Sequence, residues 1–246
     1  SEESNVPTIQ KEYSVTEKAD GLHKMLFIAK DLKMYLIDNN MEPQYTGIVC
    51  GEPLLAWSLL DGEHVLYDKN GKYYNHFLVF DIFYVGGVDI RHYPLLADYE
   101  PKAHASVAIA KGFIKREDGA FRIFYISRLV VEDGLKIKGQ TKLAMVTITA
   151  KQYIAASPQQ TIFQAAKKVL TATYPYNTDG VIYTPLTLGV GASAPGQALR
   201  PPSKMTWEHM FKWKPINELT IDFLATIQKT ATREEKVNTM LVKDEV

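Results

Sequence analysis

An α+β fold, with antiparallel sheets flanked by a few helices, is the class this sequence predicts, and three observations predict it. Runs rich in β-branched and aromatic residues recur along the chain, Asp-Gly and Asn-Gly pairs punctuate them, and segments with helical spacing are few. Tyr13-Ser14-Val15 is a short extended run. Met25 to Ala29 and Met34 to Ile37, joined by polar Lys30-Asp31-Leu32-Lys33, read as a hairpin. Further strands are expected at Leu54 to Leu60, Tyr73 to Tyr84, Phe121 to Ser127, Ala144 to Thr149 and Gly180 to Tyr183. Asp68-Lys69-Asn70-Gly71 and Glu117-Asp118-Gly119 supply turns.

One helix is well marked. Ser157 suits a cap, Pro158 suits the first helical position, and Ile162, Phe163, Ala166, Val169 and Leu170 share a face that predicts packing on a sheet. A second helix is expected from Ala103 to Arg116, weakened by Gly112, and a third from Glu218 to Lys229, entered through Pro215. Leu186 to Ser203 holds Gly189, Gly191, Gly196 and three prolines, which predicts a long mobile loop. The polar tail Thr230 to Val246 is expected to be loosely held, so the domain is read as 1–229 and the tail as 230–246.

The 246 residues are enough to bury a substantial core, and 46% apolar with 23% charged residues excludes disordered and collagen-like classes. No apolar run is long enough to span a bilayer, and the polar opening Ser1-Glu2-Glu3-Ser4 gives no expectation of secretion. The single cysteine, Cys50, forms no disulfide within the chain, consistent with a reducing compartment, and reads as a small buried apolar residue. Twenty-eight acidic and 28 basic residues leave no global field for RNA, so any RNA contact needs a local patch.

The chemistry is concentrated in five short segments in a fixed order: Glu17-Lys18-Ala19-Asp20-Gly21, Leu60-Asp61-Gly62-Glu63, Phe80-Asp81-Ile82 with Asp89-Ile90-Arg91, Asp179-Gly180-Val181-Ile182, and Lys212-Trp213-Lys214-Pro215. Each also has a plain structural explanation. Asp-Gly is a favoured turn pair, Phe80 suits a strand core, and Lys-x-Lys suits a solvated face. In this order, from about Ser14 to Leu224, the segments resemble the collinear motifs of the covalent nucleotidyltransferases, the superfamily of ATP-dependent DNA ligases, RNA ligases and mRNA capping guanylyltransferases. Asp179-Gly180-Val181-Ile182-Tyr183-Thr184-Pro185 and Lys212-Trp213-Lys214-Pro215 look like the capping branch. Thr206-Trp207-Glu208, Tyr174-Pro175-Tyr176-Asn177-Thr178-Asp179-Gly180 and Thr220-Ile221-Asp222-Phe223 look most like capping enzymes of large cytoplasmic DNA viruses.

The resemblance implies a role for each residue. Lys18 would attack the α-phosphate of GTP, giving a lysyl-N-GMP phosphoramidate and pyrophosphate, and the GMP would pass to a 5′-diphosphate RNA end. A lysine amine, with a free pKa of about 10.4, must lose its proton first, which burial and nearby cations favour. Lys212 and Lys214, two apart in an extended strand, would share a face and reach phosphate oxygens while Trp213 enters the core. Glu63 and Asp179 would hold Mg2+ or Mn2+. Glu17, Asp20 and Gly21 would frame the nucleotide, with Asp20 bracing the corner near the ribose. Phe80 would stack on guanine, with Val181 or Ile182 closing the other side, and Lys151 would donate to guanine O6.

Two departures from the family pattern stand out. His23 occupies the place where the family has an arginine on the ribose, so a pH-sensitive contact near neutrality is expected. The family's sixth motif lies in a C-terminal OB-fold domain, which the stretch after Lys214 is too short to contain. The expectation is therefore a nucleotidyltransferase core of a longer protein, with OB-fold, triphosphatase and methyltransferase domains as partners, acting in the cytoplasm or a virus factory. An ATP-dependent polynucleotide ligase domain and a non-catalytic RNA-binding module of the same fold stay open as alternatives.

Overall fold

The computed structural model describes residues 9–10, 12–96, 121–140, 146–197, 207–219, 228–229 and 235–236. The expected helix at 103–116 and most of those at 218–229 and the tail lie outside them. The chain divides into two compact units, Ser1–Pro215 and Ile216–Val246. In the second, a 3-10 turn spans Ile216–Glu218, and β13 (Gln228–Lys229) pairs antiparallel with β14 (Glu235–Lys236).

The first unit is built on two sheets. β1 (Tyr13–Ala19) belongs to one and β2 (Leu22–Ile28) to the other, so the corner Asp20-Gly21 carries the chain between them. The larger sheet continues through β3 (Lys33–Ile37), β4 (Pro43–Val49), β5 (Ser58–Tyr67), β6 (Tyr73–Val85), β7 (Val88–Asp89) and β8 (Gly139–Gln140), in the order β7-β6-β5-β2-β3-β4-β8. β9 (Thr147–Ala150) adds to it parallel to β6. The smaller sheet has the order β10-β1-β11-β12, with β10 at Ile154–Ala155, β11 at Thr178–Pro185 and β12 at Phe211–Trp213, all antiparallel.

Period-two alternation drives both layers. Leu26 and Ile28 of β2, Met34 and Leu36 of β3, and Leu60, Phe77, Val79 and Ile82 of β5 and β6 bury one face of the large sheet. Tyr125, Ile126 and Leu129 close that core, and each such side chain contributes about 1.5–3 kcal/mol by burial. On the smaller sheet, Tyr13 and Val15 of β1 and Val181 of β11 pack on Ile162, Ala165, Ala166 and Val169. Cys50 is buried, its Sγ 3.0 Å from the Leu135 carbonyl.

The expected β2–β3 hairpin is present, as are β6, β9 and β11 with shifted ends. Phe121 to Ser127 is not a strand. Arg122–Ile126 is a helical turn, α1, continued by a π-type turn at Ser127–Val131. The segment 186–197 is not a free loop: Leu186, Leu188 and Ala192 are buried, and the Val190 N–H donates to the Arg91 carbonyl at 2.8 Å. Residues 198–203 lie outside the description.

Helix α2 (Ile162–Thr171) starts later than Ser157-Pro158 suggest, because Thr161 caps it. The Gln164 N–H donates to Thr161 Oγ1 at 3.2 Å, and the Thr161 N–H donates back to Gln164 Oε1 at 2.9 Å. Phe163 and Leu170 point to solvent, and Ala165 takes their expected place in the core. Thr161→Ala removes this reciprocal pair and is expected to lower stability by about 1 kcal/mol, a fall of roughly 2–4 °C in Tm by calorimetry.

Candidate active site

Lys18 lies near the end of β1, where pairing with β11 is regular from Tyr13↔Pro185 to Glu17↔Val181 and then shifts before Ala19↔Thr178. This bulge re-aims the side chain. Lys18 Nζ donates to both Asp179 oxygens, at 2.8 and 2.9 Å, and Lys214 Nζ reaches Asp179 Oδ2 at 2.6 Å. One carboxylate therefore gathers two motif lysines. Burial works to raise the Asp179 pKa, but the Lys18 and Lys214 contacts outweigh it and hold the group below its ordinary value.

Gly180 makes this gathering sterically possible. A Cβ there would sit 1.9 Å from the Trp213 carbonyl oxygen, and φ is +149°, so only glycine lets β12 approach and bring Lys214 beside Asp179. Lys212 pairs in register with Ile182, which in turn pairs with Thr16, so Thr16, Ile182 and Lys212 share one face. Lys212 makes no ion pair among the described residues. Two expectations are corrected here. Val181 is fully buried in the core against α2, which leaves Ile182 alone of the pair available to a base. Trp213 is 46% exposed, because β12 is an edge strand among the described residues.

Glu17 turns inward. Its carboxylate, 3% exposed, accepts from Tyr176 Oη at 3.0 Å and Thr16 Oγ1 at 2.9 Å, and Lys151 Nζ lies 3.5 Å from Oε1. Lys151 Nζ also donates to the Glu17 carbonyl at 2.8 Å and sits 5.7 Å from the centre of the Phe80 ring. Burial lowers the Lys151 pKa, opposed by the charges of Glu17 and Glu63. Phe80 has no cross-strand partner, since pairing jumps from Asp61↔Asp81 to Gly62↔Val79, and this bulge frees its ring.

From the large sheet come His23 and Glu63, directly opposed across β2 and β5. His23 stacks near Phe80, centroids 6.3 Å apart, and its ring nitrogens lie 2.6 Å from Asp61 Oδ1 and 2.9 Å from Asn39 Oδ1. The Asp61 hydrogen bond, against the cost of burial, raises the His23 pKa to about 9. His23 is thus an imidazolium at neutral pH and replaces the charge of an arginine. The expected switch near neutrality moves to alkaline pH. Because the folded pKa is raised, the stability of the His23–Asp61 pair is fully present below about 6.5 and is lost as pH rises through about 9. Thermal unfolding across this range should show a falling limb that His23→Ala flattens.

Gly21 places the corner tightly on β5: a Cβ there would lie 2.8 Å from the His64 carbonyl and 3.0 Å from Glu63 Cγ. Asp20 braces the corner through its own N–H, which donates to the Asn177 carbonyl at 2.9 Å. Glu63 is half-buried, and burial raises its pKa against the pull of Lys151, His23 and Lys18. Among the described residues it accepts no side-chain hydrogen bond and makes no ion pair, and no group of three or more His, Cys, Asp or Glu assembles as a metal cage. A cation that keeps its waters and binds phosphate oxygens needs only one or two carboxylates. Glu63 fits that need, whereas Asp179 already serves two lysines.

Sequence reasoning missed Tyr176, Asn39 and Arg122. Arg122, fully buried, donates to Asp81 through Nε at 2.7 Å and Nη2 at 3.2 Å, and through Nη1 to the carbonyls of Tyr93 and Leu188. It ties β6 to the segments beside the site. A signal existed in Asp61 and Asp81, carboxylates inside otherwise apolar strands that need partners.

A family model described as mRNA capping enzyme, catalytic domain, matches residues 4–216. No curated protein matches the chain. Similar solved structures include a mycobacterial DNA ligase D complexed with ATP and MES (14% identity, TM-score 0.43, covering 85% of this chain and 56% of that one). The ligase domain of LigD from M. tuberculosis is another (13% identity, TM-score 0.43, 86% and 55%). The chain therefore spans about half the length of these structures.

Proposed function

The chain belongs to the family of mRNA capping enzyme catalytic domains, and we propose that it transfers GMP from GTP through Lys18 to a 5′-diphosphate RNA end. The observation that supports this reading best is the convergence of Lys18 and Lys214 on Asp179. Lys18 Nζ, freed of a proton, attacks the α-phosphorus as the bond to pyrophosphate breaks. Asp179 holds the Lys18 amine in place through both its oxygens. Paired with Asp179, Lys18 rests as an ammonium, and its proton must pass to solvent before attack. The RNA β-phosphate oxygen then displaces Lys18 from the GMP.

Lys214, just beyond β12, and Lys212 on it offset the negative charge that builds on the triphosphate. Phe80 stacks on the purine, and Lys151, buried against Glu17 beside the Phe80 ring, would favour the acceptor O6 of guanine over the amino group of adenine. His23, charged at neutral pH, takes the ribose side, with Asp20 and Gly21 holding the corner. Glu63 would hold Mg2+ or Mn2+, which when bound supplies positive charge at the phosphates.

The test uses α-phosphate-labelled GTP or ATP with a divalent metal, followed by denaturing electrophoresis. Label from GTP and not ATP is the expected result. Label from ATP alone would replace this reading with a polynucleotide ligase domain, and absence of label from either, repeated with a chain extended through an OB-fold domain, would leave the fold as a binding module.

A further inference from the structure

The face of the large sheet that carries His23 continues along β2 away from the nucleotide site. His23 and Phe27 are four residues apart on one side of a strand whose register with β5 is unbroken from Leu22 to Ile28. They lie about 13 Å apart along its axis. Leu26 and Ile28 face the opposite way, into the core. Around Phe27 this outward face becomes aromatic. Tyr35 is its cross-strand partner, and Trp57 lies 5.9 Å from it between ring centres. Together with Lys30 and Asp31 these side chains line an open groove of about 690 Å3.

Two details set this groove apart from ordinary sheet surface. Trp57 is 52% exposed and sits at φ +66°, a region bulky side chains occupy only when the surroundings hold them there. Its N–H donates to the Ile28 carbonyl at 2.8 Å, and its carbonyl accepts from the Gly87 N–H at 3.1 Å. The charge at the groove is also one-sided. Asp31 is neutralised by Lys33 at 2.8 Å, while Lys30 makes no ion pair among the described residues. Aromatic walls with an unpaired cation suit a chain of bases and phosphates.

We propose that this groove holds the acceptor RNA as a single strand, its bases stacking on Trp57, Phe27 and Tyr35 while Lys30 meets a phosphate. The proposal rests on the capping reading, which brings an RNA 5′ end to Lys18. His23 and Phe27 lie on one strand face, so the strand would run about 13 Å along β2 between that end and the groove. Among the described residues, Lys30 is the unpaired cation that the groove offers in a chain of zero net charge.

Fluorescence anisotropy with a short 3′-labelled single-stranded RNA tests it on the whole chain, alongside GTP labelling of Lys18. Trp57→Ala is expected to weaken RNA binding roughly tenfold or more, with Trp57→Phe restoring most of the loss. Lys30→Ala, an exposed change that leaves folding intact, should reduce the slope of log affinity against log salt by about one. All three variants should still label with GTP. RNA binding unmoved by both Trp57→Ala and Lys30→Ala overturns the proposal. So does a Trp57→Ala variant that keeps RNA affinity but loses self-association or binding of an aromatic-rich peptide. Failure of the unmodified chain to label with GTP would sink the capping reading instead, which the RNA measurement reports separately.

Discussion

Lys18→Ala is expected to take up no covalent GMP, and Lys18→Arg should be equally silent. Alanine removes the nucleophilic nitrogen. Arginine keeps a cation that can still face Asp179, but a guanidinium does not deprotonate in a protein and offers no lone pair to phosphorus. The pair of variants thus separates charge from nucleophilicity. If Lys18 acts as proposed, Lys18→Arg should retain GTP affinity within a few-fold by calorimetry while labelling falls below detection. Residual labelling of Lys18→Arg would move the nucleophile to another residue, with Lys214, 2.6 Å from the same carboxylate, the first to examine.

Arg122→Met should produce the largest loss of stability, about 3–5 kcal/mol. The guanidinium is fully buried and answers Asp81 together with the Tyr93 and Leu188 carbonyls. Removing it strands a carboxylate and two carbonyls away from water, and an unpaired buried charge costs more than the original pair contributes. A fall of roughly 10 °C in Tm is expected from that magnitude. The double variant Arg122→Met with Asp81→Leu should recover a large part of it, because both partners then leave together. If the single and double variants melt alike, the ion pair is not what holds these segments.

The hairpin of β2 and β3 was legible because apolar alternation and a polar turn agree over consecutive residues. The site segments were legible as motifs, yet their grouping was not: Lys18 and Asp179 are 161 residues apart, and only the β1–β11 register makes them neighbours. Phe121 to Ser127 misled because aromatic and β-branched residues dominate it, although Arg122, Tyr125, Ile126 and Leu129 fall at helical spacing and are the side chains that become buried. Period outranked propensity there. Thr161 with Gln164 three residues on was a readable cap, obscured by the more conspicuous Ser157-Pro158. Trp213 looked like core by residue type, whereas edge position is a property of sheet order that local sequence does not encode.

The corner Asp20-Gly21 behaves as a gauge block between two machined parts. Lys18 belongs to one sheet, His23 and Glu63 to the other, and only these two residues connect the strands on which they ride. A single residue inserted here would leave both sheets folded with their own pairings yet change the gap that a nucleoside phosphate must bridge. Chain length at this corner, more than the identity of any one side chain, sets how far Lys18 stands from His23 and Glu63.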